Sequence, residues 1–314
     1  MVLNIAYIIG GLVLLTAGVN WLVRGSTGLA LRLGVTALMI GLTVVAFGTG
    51  SPELFIGIQA ARAGDSGLAL GNVVGSNISN IALVLGFAAL VKPMRVRSEL
   101  IRREMPLMIG VTLVLALMLA DARLTRVEGV LLIAGAVAYT VMAYMVARAS
   151  ERSAVATEFD EALADERRPV LLDAGLLVAG LTALLVGSSI MLKGAVAVAS
   201  DLGVSQVVIG LTVLAIGTSL PELATSVTSA LKGEADVAFG NVIGSNVLNI
   251  LAVLGAVAVI HPFEIQGLRP LDVAVMVGSA VVLLPIMWRG SVLNRWEGAG
   301  LLFGYCVYIY SLVQ

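Results

Sequence analysis

Charge is scarce in this chain. Only 12% of its 314 residues are Asp, Glu, Lys or Arg, about half the share of an ordinary soluble domain. The formal net charge of −1 leaves no basic excess to grip nucleic acid or an anionic membrane surface. A single cysteine, Cys306, excludes an internal disulfide framework and any cysteine-based metal cluster, and its apolar neighbours Tyr305 and Val307 point to plain packing. The single histidine, His261, falls at the end of an apolar run and is expected in a loop. No imidazole is therefore available at depth for a zinc or copper site.

What fills the chain is apolar: 59% of residues are hydrophobic and the mean hydropathy is +1.03. This composition is that of a membrane protein. Apolar runs of about twenty residues, enough to cross a hydrocarbon core of about 30 Å, occupy 3–23, 34–61, 67–91, 105–120, 127–147, 170–192, 204–231, 236–260, 271–288 and 297–313. The first run lacks a basic leader and a small-residue cleavage site, so it is expected to stay as a transmembrane helix. The long polar segment 148–169 divides the runs five and five, and is expected to be a cytoplasmic linker between an N-terminal repeat, 1–147, and a C-terminal one, 170–314.

Lys and Arg give the orientation. With the N-terminus outside, 14 of the 19 basic residues fall in cytoplasmic loops, leaving Arg62, Arg123, Arg126, Lys193 and Arg269 outside. The positive-inside rule then predicts both termini on the extracytoplasmic side.

The halves are also related in sequence. Residues 41–86 align without a gap on 210–255, an offset of 169, with roughly half the positions identical. "GLTVVAFGTGSPEL" lies on "GLTVLAIGTSLPEL", and "GNVVGSNISNIALVLG" on "GNVIGSNVLNILAVLG". An odd number of spans per repeat makes the pair inverted, an arrangement in which secondary transporters bind substrate near the midplane between the repeats. The expected fold is an all-α integral membrane protein of about ten transmembrane helices, in two inverted-topology five-helix repeats with broken helices at the centre.

Pro52 and Pro221 supply the breaks. Each lacks an amide proton and crowds the carbonyl four residues back, that of Gly48 or Gly217, so the helix must open there. Freed backbone oxygens inside a bilayer survive only where an ion or a water-lined cavity satisfies them. Glu53 and Glu222 follow the breaks, deep in apolar surroundings, with no Lys or Arg at comparable depth. Each unpaired carboxylate there costs on the order of 3 kcal/mol. The compensating charge must be protons or an exchangeable cation, and two carboxylates match one divalent ion.

Neighbouring residues suit a hard cation. Thr49 and Glu53, Thr218 and Glu222, Ser76 and Asn80, and Ser245 and Asn249 are all spaced i, i+4, which puts each pair on one helical face. Together with loosened carbonyls they form an all-oxygen set appropriate to Ca²⁺ or Na⁺. Close packing of the small-xxx-small kind is the structural alternative for the glycine-rich "GNVVGSN" and "GNVIGSN" segments.

These paired motifs resemble the α1 and α2 repeats of the Ca²⁺/cation antiporter superfamily, and specifically its prokaryotic sodium/calcium exchanger branch. The resemblance implies Na⁺-driven Ca²⁺ extrusion by alternating access across the cell membrane, with Ca²⁺ and Na⁺ as substrates, no cofactor and no enzymatic step. It further implies that Glu53 and Glu222 bridge Ca²⁺ and are reused for Na⁺. Neighbouring Na⁺ sites would draw on Ala46, Thr49, Ser76 and Asn80 in the first half, and on Ala215, Thr218, Ser219, Ser245 and Asn249 in the second. Family members open and close the site by sliding spans one and six across the remainder. Two departures stand out: Gly50 occupies the position where the other half has Ser219, and Asn249 stands where some relatives have Asp. The first removes a Na⁺ ligand unless Ser51 or water replaces it, and bears on stoichiometry; the second disfavours K⁺ dependence.

Other functions fit less well. Proton/Ca²⁺ antiporters typically carry a glutamate soon after the Gly-Asn pair, and Val73 to Ser76 and Val242 to Ser245 contain none. A cation channel would need a continuous pore. An intramembrane hydrolase would need a His or Lys at depth to activate Ser or Thr, or a pair of Asp.

Overall fold

The computed structural model describes residues 2–33, 41–63, 66–150, 169–202, 215–264 and 268–313. Nearly all are helical. The N-terminal half contains α1 (Val2–Leu33), the short α2 (Ala46–Thr49), α3 (Ser51–Ala63), α4 (Ser66–Ser79), α5 (Gly86–Val91), α6 (Met105–Met118) and α7 (Arg126–Ser150). The C-terminal half contains α8 (Val170–Asp201), the short α9 (Ala215–Thr218), α10 (Leu220–Lys232), α11 (Ala235–Leu248), α12 (Gly255–Ile260), α13 (Pro270–Trp288) and α14 (Arg295–Val313). Among the described residues, seven helices are long and apolar enough to cross a membrane. Most of the expected linker, 151–168, lies outside the described residues.

The offset of 169 seen in the motifs extends through the fold. Two-residue strands β1 (Met94–Arg95), β2 (Arg123–Leu124), β3 (Phe263–Glu264) and β4 (Val292–Leu293) form two antiparallel clips, β1 with β4 and β2 with β3. Met94 pairs Leu293, and the positions 169 away, Phe263 and Leu124, pair each other. Each clip joins one half to the other, so the halves are interlocked.

The first and sixth spans run longer than their apolar stretches suggest. Both α1 and α8 have 32 residues, about 48 Å at 1.5 Å per residue, which exceeds the hydrocarbon thickness, so each tilts or projects beyond it. Arg24, expected in a loop, is therefore inside α1, and Lys193 occupies the equivalent place in α8. Both are exposed, as long basic side chains reaching for the interface must be.

These two helices pack against each other and run antiparallel: Gly11 faces Gly187 and Met191, Gly18 faces Gly180 and Leu184, and Gly25 faces Asp173 and Leu177. Equivalent helices of the two halves thus point in opposite directions, as an inverted repeat demands. A Cβ built on Gly11 would stand 2.6 Å from the Gly187 carbonyl oxygen, so this contact requires glycine. The α1/α8 pair shares a small apolar cluster of Leu15, Val19, Leu22, Val45 and Leu184, separate from the main core. That main core is built chiefly on α4, α11 and the segments that continue them, and holds Phe239, Ile78, Ile81 and Leu85. Cys306 turns outward on α14, so its expected packing role is corrected: it faces the surroundings, and the neighbouring Tyr305 and Tyr308 are the buried residues. His261 caps the end of α12 and is exposed, as expected.

Candidate ion-binding site

Each proline forces the same local geometry. The chain leaves α2 at Gly50 with φ −78° and ψ 5°, and leaves α9 at Ser219 with φ −87° and ψ 8°. Both values lie in the bridge region, an ordinary conformation for a turn. A new helix then starts, α3 or α10, and carries its glutamate in the first turn. There the unpaired amides and the positive end of the helix dipole favour an anion. The break thus places Glu53 and Glu222 where backbone helps to hold a negative charge.

Both carboxylates are buried, each 1% exposed. Ser76 on α4 donates to Glu53 Oε1 at 3.4 Å, and Asn72 donates to the Glu53 backbone oxygen at 3.3 Å. Glu53 Oε2 and both carboxylate oxygens of Glu222 have no hydrogen-bond partner. The described ion pairs, Arg97–Asp236, Arg103–Glu104, Arg123–Glu264 and Arg269–Asp272, do not involve either residue. Glu53 lies near enough for its charge to act on Glu222, and the Thr49 hydroxyl stands beside the Glu222 carboxylate without completing a hydrogen bond.

Further oxygens surround them. Thr49, Ser76, Asn80, Thr218, Ser219, Ser245 and Asn249 are all buried. The Ala46 carbonyl, which the resemblance nominates as a Na⁺ ligand, already accepts the Gly50 amide at 3.0 Å and is approached by the hydroxyls of Thr49 and Ser245, each at 3.4 Å. Ser245 reaches it from the other half, so this carbonyl sits at the repeat interface. Thr49 also contacts Asn241 Oδ1 at 3.1 Å. Ala215 is described as the first residue of α9, and its side chain lies outside what is described.

Sequence reasoning missed the residues that orient this set. Asn77 Nδ2 donates to the Asn246 carbonyl and Asn246 Nδ2 to the Asn77 carbonyl, both at 3.2 Å. Asn80 Nδ2 donates to Asn246 Oδ1 at 3.1 Å, and Asn249 Nδ2 to Asn77 Oδ1 at 3.2 Å. All four bonds obey the two-fold relation. Because both outer asparagines spend their amino groups on the inner pair, their oxygens are left as acceptors, and Asn80 Oδ1 is buried without a partner. Wide π-helical turns begin at Asn80 and Asn249, a distortion often found where a helix serves a site.

The symmetry fails at Gly50. Ser219 shares a hydrogen bond of 2.8 Å with Ser79, whereas the equivalent positions are Gly50 and Leu248. The missing hydroxyl at Gly50 is thus accompanied by the loss of its partner. A crevice lined by Ala46, Gly50, Leu248 and Asn249 marks the spot.

Three unpartnered carboxylate oxygens and one amide oxygen, all buried, with no ion pair to either glutamate among the described residues, fit a hard metal ion. A buried ionised oxygen without a partner is costly, and an all-oxygen shell is the kind Ca²⁺ takes. The matching family model, that of the sodium/calcium exchanger protein, covers residues 3–145 and 172–314.

The chain belongs to the sodium/calcium exchanger family. It is 43% identical to the antiporter candidate CaxA of Alkalimonas amylolytica over 99% of both chains. It is 30% identical to the sodium/calcium exchanger MaX1 of Methanosarcina acetivorans, over 98% of both. The sodium-calcium exchanger NCX_Mj, solved after soaking with Na⁺ and Sr²⁺, superposes with a TM-score of 0.85 at 31% identity, covering 99% of both chains. The protein is therefore a membrane antiporter of the cation/Ca²⁺ class, whose ions are substrates and not cofactors.

Proposed function

We propose that this exchanger couples Na⁺ entry to Ca²⁺ extrusion, with Glu53 and Glu222 as the shared ligands of both ions. One observation carries the reading: each half contributes a buried carboxylate with unpartnered oxygens and no ion pair among the described residues. Two negative charges are balanced by one Ca²⁺ or by several monovalent ions drawn to the same oxygens. Occupancy by one species excludes the other, and an empty, doubly charged site is the costly state to move. Exchange follows, because the site changes its exposure only when its charge is compensated.

The supporting ligands are Thr49, Ser76, Asn80 and the Ala46 carbonyl in one half, and Thr218, Ser219, Ser245, Asn249 and the Ala215 carbonyl in the other. The α1/α8 pair, packed through glycines and sharing its own apolar cluster, is the element that slides to open one face or the other. Both termini face the extracytoplasmic side of the cell membrane, with 1–147 and 170–314 as the two repeats and 148–169 linking them in the cytoplasm.

Na⁺ is favoured over H⁺ as the driving ion because neither "GNVVGSN" nor "GNVIGSN" contains a further glutamate to carry a proton. Uptake of ⁴⁵Ca²⁺ into vesicles under an imposed Na⁺ gradient, compared with a pH gradient, tests this. Uptake driven by Na⁺ and abolished by its dissipation is expected. Uptake driven by the pH gradient alone would reverse the assignment.

A further inference from the structure

The C-terminal repeat carries polar groups that the binding site does not use. Along α10, Thr225 and Ser229 follow Glu222 at helical spacing, placing all three on one side of the helix. Both are fully buried, at 0% exposure, and neither Thr225 Oγ1 nor Ser229 Oγ has a hydrogen-bond partner. A buried hydroxyl without a partner is destabilising. In a membrane helix, such a group normally returns its proton to the carbonyl three or four residues back, as Thr112 and Ser189 do here.

Just beyond the helix, the Glu234 amide donates to the Ser229 carbonyl at 2.8 Å, and Glu234 Oε2 is also without a partner. Oxygen groups thus run from the site to the end of α10. The repeat itself does not require them. At the equivalent positions of α3, Ile56 and Ala60 stand in place of Thr225 and Ser229. Ser226, on the adjacent side of α10, is different: it is bonded to the Ala238 carbonyl and to Asn241, and serves packing against α11.

We infer that Thr225, Ser229 and Glu234 line the passage by which cations move between Glu222 and the membrane face bearing Glu234. The inference rests on the exchanger reading above. Hydroxyl oxygens at successive turns replace part of the ion's hydration shell as it moves, and Glu234 attracts the cation at the mouth. In the present conformation the passage is closed. Lys92 lies across its end, donating to the Leu231 carbonyl at 3.0 Å, and Lys232 acts on Glu234. Opening therefore requires Lys92 to leave the last turn of α10. Because α3 lacks the hydroxyls, the passage to the opposite face is lined by different chemistry.

The test is side-specific thiol labelling of the full-length protein in membrane vesicles, in a Cys306→Ser background. Thr225→Cys and Ser229→Cys are expected to react with a membrane-impermeant methanethiosulfonate only from the face bearing Glu234, with added Ca²⁺ slowing the reaction. Ile56→Cys and Ala60→Cys are expected not to react from that face. Absence of labelling at both 225 and 229 in folded protein, or equal labelling at 56 and 60 from the face bearing Glu234, would overturn the inference. Should the cysteine variants misfold, Glu234→Gln provides the second arm: a several-fold higher apparent KM for Ca²⁺ on its own face and an unchanged KM on the other. An equal effect on both faces, or none, would also overturn it. ⁴⁵Ca²⁺ flux in the same vesicles under Na⁺ or pH gradients reports separately on the exchanger reading, so failure of one is distinguishable from failure of the other.

Discussion

Asn77 and Asn246 exchange the same bond, each side-chain amide donating to the other's backbone carbonyl at 3.2 Å. The pair marks the local two-fold relation between the repeats. Each also holds one outer asparagine by its amino group, so the oxygens of Asn80 and Asn249 are left to accept. A lattice of four amides thereby decides which atom of each outer asparagine is offered to a cation.

Replacing an inner asparagine should damage the site without touching an ion. Asn77→Ala frees the Asn249 amino group and the Asn246 carbonyl, and leaves the Asn246 Nδ2 bond intact, because the latter uses a backbone acceptor. A stability loss of about 1–2 kcal/mol is expected, the scale of two intramembrane hydrogen bonds, with a several-fold loss of Ca²⁺ affinity. Asn77→Asp, which keeps the acceptor for Asn249, should retain more affinity than Asn77→Ala. Calorimetric binding and thermal unfolding in detergent check both effects, and identical affinities for the two variants would contradict the positioning role.

Glu53→Gln and Glu222→Gln should each lower Ca²⁺ transport at least about 100-fold, since an intramembrane charge represents roughly 3 kcal/mol. Neither should lower the melting temperature, because each removes a desolvated charge with no cationic side-chain partner among the described residues. Flux in proteoliposomes and a thermal-shift measurement on the same preparations test the pair. Retained transport in either variant refutes the site.

Gly50 is the position where the symmetry of ligands fails. A Cβ there would stand 3.1 Å from the Ala46 carbonyl and 3.5 Å from Asn249 Oδ1, and the backbone already has the angles that Ser219 adopts. Gly50→Ser combined with Leu248→Ser recreates the hydroxyl pair seen between Ser79 and Ser219. The double variant should show a several-fold higher apparent Na⁺ affinity in Na⁺-dependent Ca²⁺ flux; the single Gly50→Ser change should give less, since its hydroxyl lacks the partner.

The glycine contact between α1 and α8 can be tested by two neighbouring substitutions. Gly11→Ala forces a Cβ to within 2.6 Å of the Gly187 carbonyl, whereas Gly10 is exposed and has nothing within 4 Å. Gly11→Ala should destabilise by about 1–3 kcal/mol through overpacking and slow transport, while Gly10→Ala should leave both unchanged. Thermal unfolding and initial flux rates measure the difference.

Much of this was legible in the sequence because the bilayer penalises the wrong residue so strongly. Glu53 and Glu222 stand out in apolar runs, and the prolines beside them announce the breaks. The repeat offset was visible in 41–86 and 210–255. Its reach was not, since strands of two residues such as Met94–Arg95 have no periodicity to detect. The lengths of α1 and α8 were underestimated because Arg24 and Lys193 look like boundaries, although their stems can lie along a tilted helix. Glu104, Asp173 and Asp272 sit at span ends, where exposure is the natural expectation, yet all three are buried. The roles of Asn77 and Asn246 were hidden for another reason: in "GSN", a glycine and a serine suggest close packing, and nothing local reveals that the asparagine bonds across 169 positions.

The central claim is that Glu53 and Glu222 together hold the transported cation. Anomalous diffraction from crystals soaked in Sr²⁺ or Ca²⁺ tests it most directly. The account predicts a peak bridging the two carboxylates, with an oxygen of each at about 2.4 Å, the usual Ca²⁺–oxygen distance. A principal peak elsewhere, with both carboxylates unliganded in protein that still transports Ca²⁺, would contradict it.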